Sequence, residues 1–534
     1  MPISRWGEAN FLSHFETMKY FKSFSIILAI PCLMFFYNNC AKGLETDSKA
    51  TVSPGDESLS GANQISMSFT RISSAGLSPF RVRVTLKTSQ NKPLPGQQLQ
   101  LNIPLGSVSA ITDNQDGTYD FTVTPSVVGV YPIEASFQGV SVRREAVVAS
   151  KLASGVGQPL AVPGNFVNTS GYEDGITITP DGNYLFVQYG PLYFSGVANF
   201  SSICQNPAYT FVDIFGCTGK ANSNWVFDTI GPFSAPLRPN FPVGAISGGK
   251  LTHANLVIPG VANGIPIFPT VFYGFKKQPD GTFAEPFKLA FNDSRGTNGP
   301  FGLSFQMLSA TTARFVVAWK NYFDDLGGDD SPNIYAGTAT MGVDNNLGDV
   351  VYSGDAFASI TPHISPVGFS SHVGVQGNPH LYYDNAGVVK SIWTDDEQST
   401  HNLSVYRLTS GTYPNGTWQL TALPSKINTS ASESQPFFTG TRLYLNRDTK
   451  IVYHDYLGSG GNDYNLDSSW GNEVVVLEGS PTFATGSIFG FGEPTIAKVD
   501  GKNLLYFVYV KVRGAGATAG SYDLDLDAGF VEVP

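Results

Sequence analysis

A short strand-like segment returns six times along this chain at a nearly constant interval. Its instances begin at Leu185 (LFVQY), Leu251 (LTHANL), Phe315 (FVVAW), Leu381 (LYYDN), Leu443 (LYLNR) and Leu505 (LYFVY), with gaps of 66, 64, 66, 62 and 62 residues. A repeat of this size matches one four-stranded blade of a β-propeller, and no single copy could shield both of its apolar faces. The spacing therefore predicts an all-β fold over 155–534 in which six blades close into a ring. The copy at Leu251 departs furthest, because no aromatic follows its leucine.

Other features keep phase with that strand. Asp280-Gly281-Thr282-Phe283 and Asn415-Gly416-Thr417-Trp418 read as turns running into strands, with Asp467-Ser468-Ser469-Trp470 as a looser copy. Asn333-Ile334, Asn402-Leu403 and Asp523-Leu524 each set a short polar side chain before an aliphatic one, which suits a turn-to-strand junction. Asn168-Thr169-Ser170-Gly171-Tyr172-Glu173 matches Asn428-Thr429-Ser430-Ala431-Ser432-Glu433, so both segments are expected to lead into an inner strand. A strand near 158–166 is expected to complete the last blade and remove its free edge. With Glu433-Ser434-Gln435-Pro436 and the Leu-Tyr strand, these repeats resemble the TolB-type, WD-like bacterial propellers. That resemblance implies a scaffold with loops on two ring faces, and it implies no single chemistry.

Ahead of the repeats, residues 64–150 read as a separate β-sandwich. Arg81-Val82-Arg83-Val84-Thr85-Leu86 alternates with period two, as a half-buried strand does. The Pro93-Leu94-Pro95-Gly96 turn, the Asp116-Gly117-Thr118-Tyr119 hairpin and the Gly129-Val130-Tyr131 strand opening resemble invasin/intimin-type and filamin-type Ig-like domains. In those families the domain spaces or presents a neighbour.

The first forty residues read as an address. Met18-Lys19-Tyr20-Phe21-Lys22 supplies a positive start, and it is a better initiation site than Met1. The apolar run from Ser25 to Tyr37 is shorter than the ~20 residues that span a bilayer, so it reads as a signal peptide. It ends at Asn39-Cys40, which resembles a bacterial lipoprotein signal with Cys40 lipidated. Acyl chains at Cys40 would anchor the chain at about 0.8 kcal/mol per buried methylene, and the polar residues 41–63 suit a flexible tether. The expected location is the cell envelope, at the outer membrane or cell surface.

The 534-residue chain carries a net charge of −11, which repels phosphate backbones and argues against nucleic acid as a partner. Cys204 and Cys217 flank an insertion, and an oxidising compartment favours a disulfide between them. Asp324, Asp325, Asp329 and Asp330 crowd one loop; such carboxylates ligate Ca²⁺, although a solvated acidic loop explains them more simply. Glu173, Glu433 and Glu493 recur near the starts of inner strands, where they either line a channel as acid and base or bond between blades. Neither a Gly-x-Ser-x-Gly elbow nor a phosphate loop occurs, and no catalytic residue is assigned. The reading is a surface binding module whose protein or carbohydrate ligand meets Tyr189, Tyr322, Tyr383 and Trp393 on one ring face. The alternative is a propeller glycoside hydrolase or lyase acting on extracellular polysaccharide.

Overall fold

The computed structural model describes most of residues 63–190 and 271–534, with four two-residue strands between them. The sandwich comes first. Strands β1 (Gln64–Arg71), β2 (Phe80–Lys87), β3 (Gln100–Asn102), β4 (Ser107–Val108), β5 (Thr112–Asp113), β6 (Thr118–Thr124), β7 (Gly129–Phe137) and β8 (Val140–Val148) form two sheets. One has the order β1-β2-β6-β4, and the other starts β3-β7-β8. Alternation dictates the faces: β2 buries Phe80, Val82, Val84 and Leu86 while Arg81 and Arg83 point outward. The Asp116-Gly117-Thr118 turn forms because Asp116 accepts from Thr118 N at 2.9 Å, with Gly117 at φ +83° where a side chain would be strained. The same device recurs in the propeller, where Asp280 accepts from Thr282 N at 2.9 Å.

Two short strands, β9 (Lys151–Leu152) and β10 (Leu160–Ala161), lead out of the sandwich. The propeller then begins with β11 (Tyr172–Ile178) and β12 (Tyr184–Gly190). Next in the chain are two hairpins, β13 (Ile246–Ser247) with β14 (Lys250–Leu251) and β15 (Val261–Ala262) with β16 (Ile265–Pro266). In the sheet, however, β12 pairs with β17 (Val271–Lys276), which pairs with β18 (Phe287–Asp293), completing a first blade.

A second blade comprises β19 (Asn298–Met307), β20 (Thr312–Asn321) and β21 (Asn333–Thr340). Strands β22 (Asn345–Ser353) and β23 (Ala356–Ile360) then extend the outer edge of the first blade, before β24 (Ile364–Pro366) returns to finish the second. The third is β25 (Gly377–Tyr383), β26 (Val389–Asp395), β27 (Leu403–Ser410) and β28 (Thr417–Ala422). The fourth is β29 (Glu433–Phe438), β30 (Arg442–Arg447), β31 (Lys450–Asp455) and β32 (Val474–Glu478). The fifth is β33 (Ile488–Val499), β34 (Lys502–Ala515) and β35 (Tyr522–Val533), with β10 in the fourth place.

The all-β class, with an Ig-like sandwich ahead of a propeller, therefore stands. The described residues carry five blades, each of four strands or more, where the spacing predicted six. Leu251 lies on the two-residue β14, because the stretch between β12 and β17 is inserted within the first blade. Leu185, Phe315, Leu443 and Leu505 all begin or sit in second strands, whereas Leu381 lies in an inner strand. First and second strands of a blade are both covered on both faces, so the same apolar run marks either and the phase slipped unseen. The strand expected near 158–166 is present, with Leu160 opposite Phe530 and Ala161 opposite Gly529.

Candidate functional site

The ring centre is where the five inner strands converge, and each of them breaks its register at the same place. The interruptions fall between Asp174 and Thr177, Phe301 and Leu303, Gly377 and His380, Ser434 and Phe437, and Gly492 and Thr495. At each one a residue takes a left-handed conformation: Gly175 (φ +60°), Gly302 (+58°), Asn378 (+40°), Gln435 (+52°) and Glu493 (+56°). Such bulges bend a strand and re-aim its side chains. Together they surround a space of about 50 Å³ lined by Thr177, Ser304, His380, Gln435 and Glu493 among others.

The polar groups here bond head to tail from blade to blade. Glu493 Oε2 accepts from Ile176 N at 2.8 Å, joining the last blade to the first, and its Oε1 accepts from Gln435 Nε2 at 3.1 Å. Gln435 Oε1 accepts from Glu493 N at 2.9 Å. The buried Asp395 accepts from Gln435 N and from Asn378 Nδ2, both at 2.9 Å. Ser304 Oγ accepts from Leu381 N at 3.1 Å. His380 Nε2 lies 2.9 Å from Phe438 O, and a carbonyl only accepts, so Nε2 carries the proton and Nδ1 faces Ser304 Oγ at 3.3 Å. Burial lowers the His380 pKa to about 4, which keeps the ring neutral.

Of the three glutamates singled out in the sequence, two share a phase. Glu173 and Glu433 are fully buried at equivalent starts of β11 and β29, whereas Glu493 is two positions further into its strand. Burial raises the Glu433 pKa, against the opposing pull of Thr429 and Arg447. Arg447 donates to Glu433 at 3.1 Å and to Ile427 O at 2.6 Å, and it also pairs with Glu473. These contacts tie the crossover before β29 to the blade. The matched segments beginning at Asn168 and Asn428 also have a shared role. Each asparagine makes two hydrogen bonds to one backbone residue of the preceding blade, Ala528 for Asn168 and Leu403 for Asn428, at 2.8–2.9 Å.

The aromatic residues proposed for a ligand face fare differently. Trp393 is wholly buried beside Phe438, Tyr464 and Trp470 and donates to Ser391 Oγ at 3.0 Å, so it belongs to the core and not to a ring face. Tyr383 is partly buried against the apolar cluster around Leu381, and burial pushes its hydroxyl up to about 12. Tyr189 lies on β12 opposite Glu173. Tyr322, Asp324, Asp325, Asp329, Asp330, Cys40, Cys204 and Cys217 lie outside the described residues. Sequence reasoning missed Asn378, Asp395 and Gln435. Its available signal was the X-Pro step that follows three of the five bulges, at Asn378-Pro379, Gln435-Pro436 and Glu493-Pro494.

No curated protein matches the chain. Among solved structures, an α-L-arabinanase of Cellvibrio cellulosa is 12% identical over 48% of this chain and 87% of its own, with a TM-score of 0.28. The α-L-arabinanase of Penicillium chrysogenum complexed with arabinobiose is 10% identical over 89% and 98%, with a TM-score of 0.30. An adhesin of Yersinia pseudotuberculosis is 11% identical over 77% and 97%, with a TM-score of 0.15. Likeness at these scores carries no functional argument. Residues 60–152, which contain the whole sandwich, match the family described as Invasin, domain 3, and it is to that domain that the N-terminal part of this chain is similar.

Proposed function

We propose that this protein is a binding module displayed at the cell surface, in which the propeller meets a protein or glycan ligand and the sandwich holds it away from the membrane. The observation that carries this reading is the bonding of the central carboxylates. Both oxygens of Glu493 bond neighbouring blades, Asp395 Oδ2 accepts from Gln435 N of the next blade and from Asn378 Nδ2 of its own, and Glu433 is enclosed with Arg447. A general acid or base must reach a proton on its substrate, and these groups face the scaffold. The similarity of residues 60–152 to an invasin domain supports surface display.

The sandwich is also threaded for that task. Asn63 at its start bonds Gln138 in the β7–β8 turn at 3.2 Å, while Ser150 at its end bonds the fourth blade. Tether and propeller thus attach at opposite ends of nine-residue strands, about 30 Å apart. Lipidation at Cys40 would supply the anchor, and Cys40→Ser is expected to release the protein into the medium. Tyr189, Tyr322 and Tyr383 are the aromatic candidates for the ligand face. The TolB-type resemblance of the repeats fits a propeller used for contact.

The test is to screen purified residues 63–534 against immobilised proteins and polysaccharides, with reducing-sugar release measured in parallel. Saturable binding without sugar release supports the reading. Turnover that disappears in Glu433→Gln or Glu493→Gln would overturn it in favour of a hydrolase.

A further inference from the structure

The end of β8 and the residue that follows it break the alternation of the sandwich: Ala146, Val147, Val148 and Ala149 are all buried. A strand covered on one face alternates, so a continuous buried run means that something covers the other face too. What covers it is the propeller. Val128, Val147 and Ala149 belong to one apolar cluster with Leu477 of the fourth blade and Ile488 and Val531 of the fifth. Gly129 sits so close to the fifth blade that a Cβ there would lie 2.8 Å from Gly486 O.

The backbone makes the same junction. β10 pairs with β8 on one side and β35 on the other, so the second sheet of the sandwich continues into the fifth blade. Eight residues earlier, β9 adds a fifth strand to the fourth blade, with Leu152 opposite Leu477. Ser150 N donates to Glu478 O at 2.9 Å, and Gly157 N donates to Glu532 O at 2.9 Å. Arg71, at the end of β1, reaches Ala153 O and Val156 O at 3.1 Å each.

We infer that the sandwich is a structural part of the propeller, and that residues 149–162 form a strap binding the fourth blade, the fifth blade and the sandwich into one cooperative unit. The fifth blade meets the first where β11 runs beside β35, and the other seams join blades that follow one another in the chain. The seam between the fourth and fifth blades is bridged in addition by this strap, and the strap is held in place by the sandwich. Detaching the sandwich would expose the apolar surface around Leu477, Ile488 and Val531 and loosen the strand that completes the last blade.

The sandwich contains no tryptophan between residues 64 and 150, so tryptophan emission from the folded chain reports the propeller. In residues 63–534, Val147→Ala and Val147→Asp are expected to lower the tryptophan-detected unfolding temperature, by a few degrees for alanine and more for aspartate. The alanine variant covers the case in which the charged one fails to fold. A protease site inserted between Ser154 and Gly155 should yield two fragments that still co-elute under native conditions and melt in one transition. An unmoved tryptophan transition in Val147→Ala, or fragments that separate while the propeller melts unchanged, would overturn the inference. These readouts do not depend on whether the propeller binds or cleaves its ligand.

Discussion

Glu493 holds a left-handed backbone that costs a non-glycine residue about 1–2 kcal/mol, while its carboxylate takes one hydrogen bond from the first blade and one from the fourth. The bonds offset the strain, and both need an acceptor. Glu493→Gln would turn an NH₂ group toward a donor, leaving it unpaired, so a loss of about 1–3 kcal/mol is expected in urea denaturation. His380 and His454 give a second expectation. Burial lowers each to about 4 from a usual value of 6.5, so the unfolded chain binds their protons more readily than the folded one. Their contribution to stability is complete above pH 6.5 and is lost as pH falls toward 4, at about 1.4 kcal/mol per unit for each ring. Denaturation midpoints at pH 7, 5.5 and 4.5 should fall accordingly, and His380→Gln should flatten the slope. The sequence made Glu173 and Glu433 legible as a matched pair, because repeat phase is a linear property. Asp395 was not legible: its value comes from lying under Gln435 of the next blade, across 40 residues.

At the scale of the element, the inner strands owe their common shape to the residue at each bulge. Gly302 has φ +58°, and a Cβ there would lie 2.4 Å from Asn378 Cα in the neighbouring blade. Gly302→Ala is therefore expected to destabilise by more than about 1 kcal/mol, a shift visible in thermal unfolding, since the backbone conformation and the close approach both oppose a methyl group. Strand identity was largely readable, as the alternation in β2 and the Asp-Gly-Thr turns show. Strand rank within a blade was not. Leu381-Tyr382 in an inner strand and Leu443-Tyr444 in a second strand have the same composition because both are sandwiched between blades. That equivalence, together with the insertion between β12 and β17, let an even spacing count six where five blades are traced among the described residues.

For the whole molecule, the sequence announced a sandwich and a ring but not their union. The cue was the four-residue apolar run Ala146–Ala149 that closes β8 and passes one residue beyond it, which reads as an ordinary strand end until a neighbour is seen beside it. The strand that completes the fifth blade was foreseeable, because chain ends left unpaired would offer an open edge. Its second partnership, with β8, had no counterpart in the repeat pattern.

The threading of the sandwich decides how the protein would respond to being pulled. A load applied between the N-terminus of the sandwich and the propeller enters at Gln64 and runs along the axis of β1, whose eight residues lie in unbroken antiparallel register with β2. Stretched lengthwise, those rungs share the tension and must yield together, unlike a zipper opened from one end. Single-molecule stretching from residue 63 against the C-terminus is expected to give a high first rupture peak, and an Arg71→Ala variant, freed from Ala153 and Val156, a lower one.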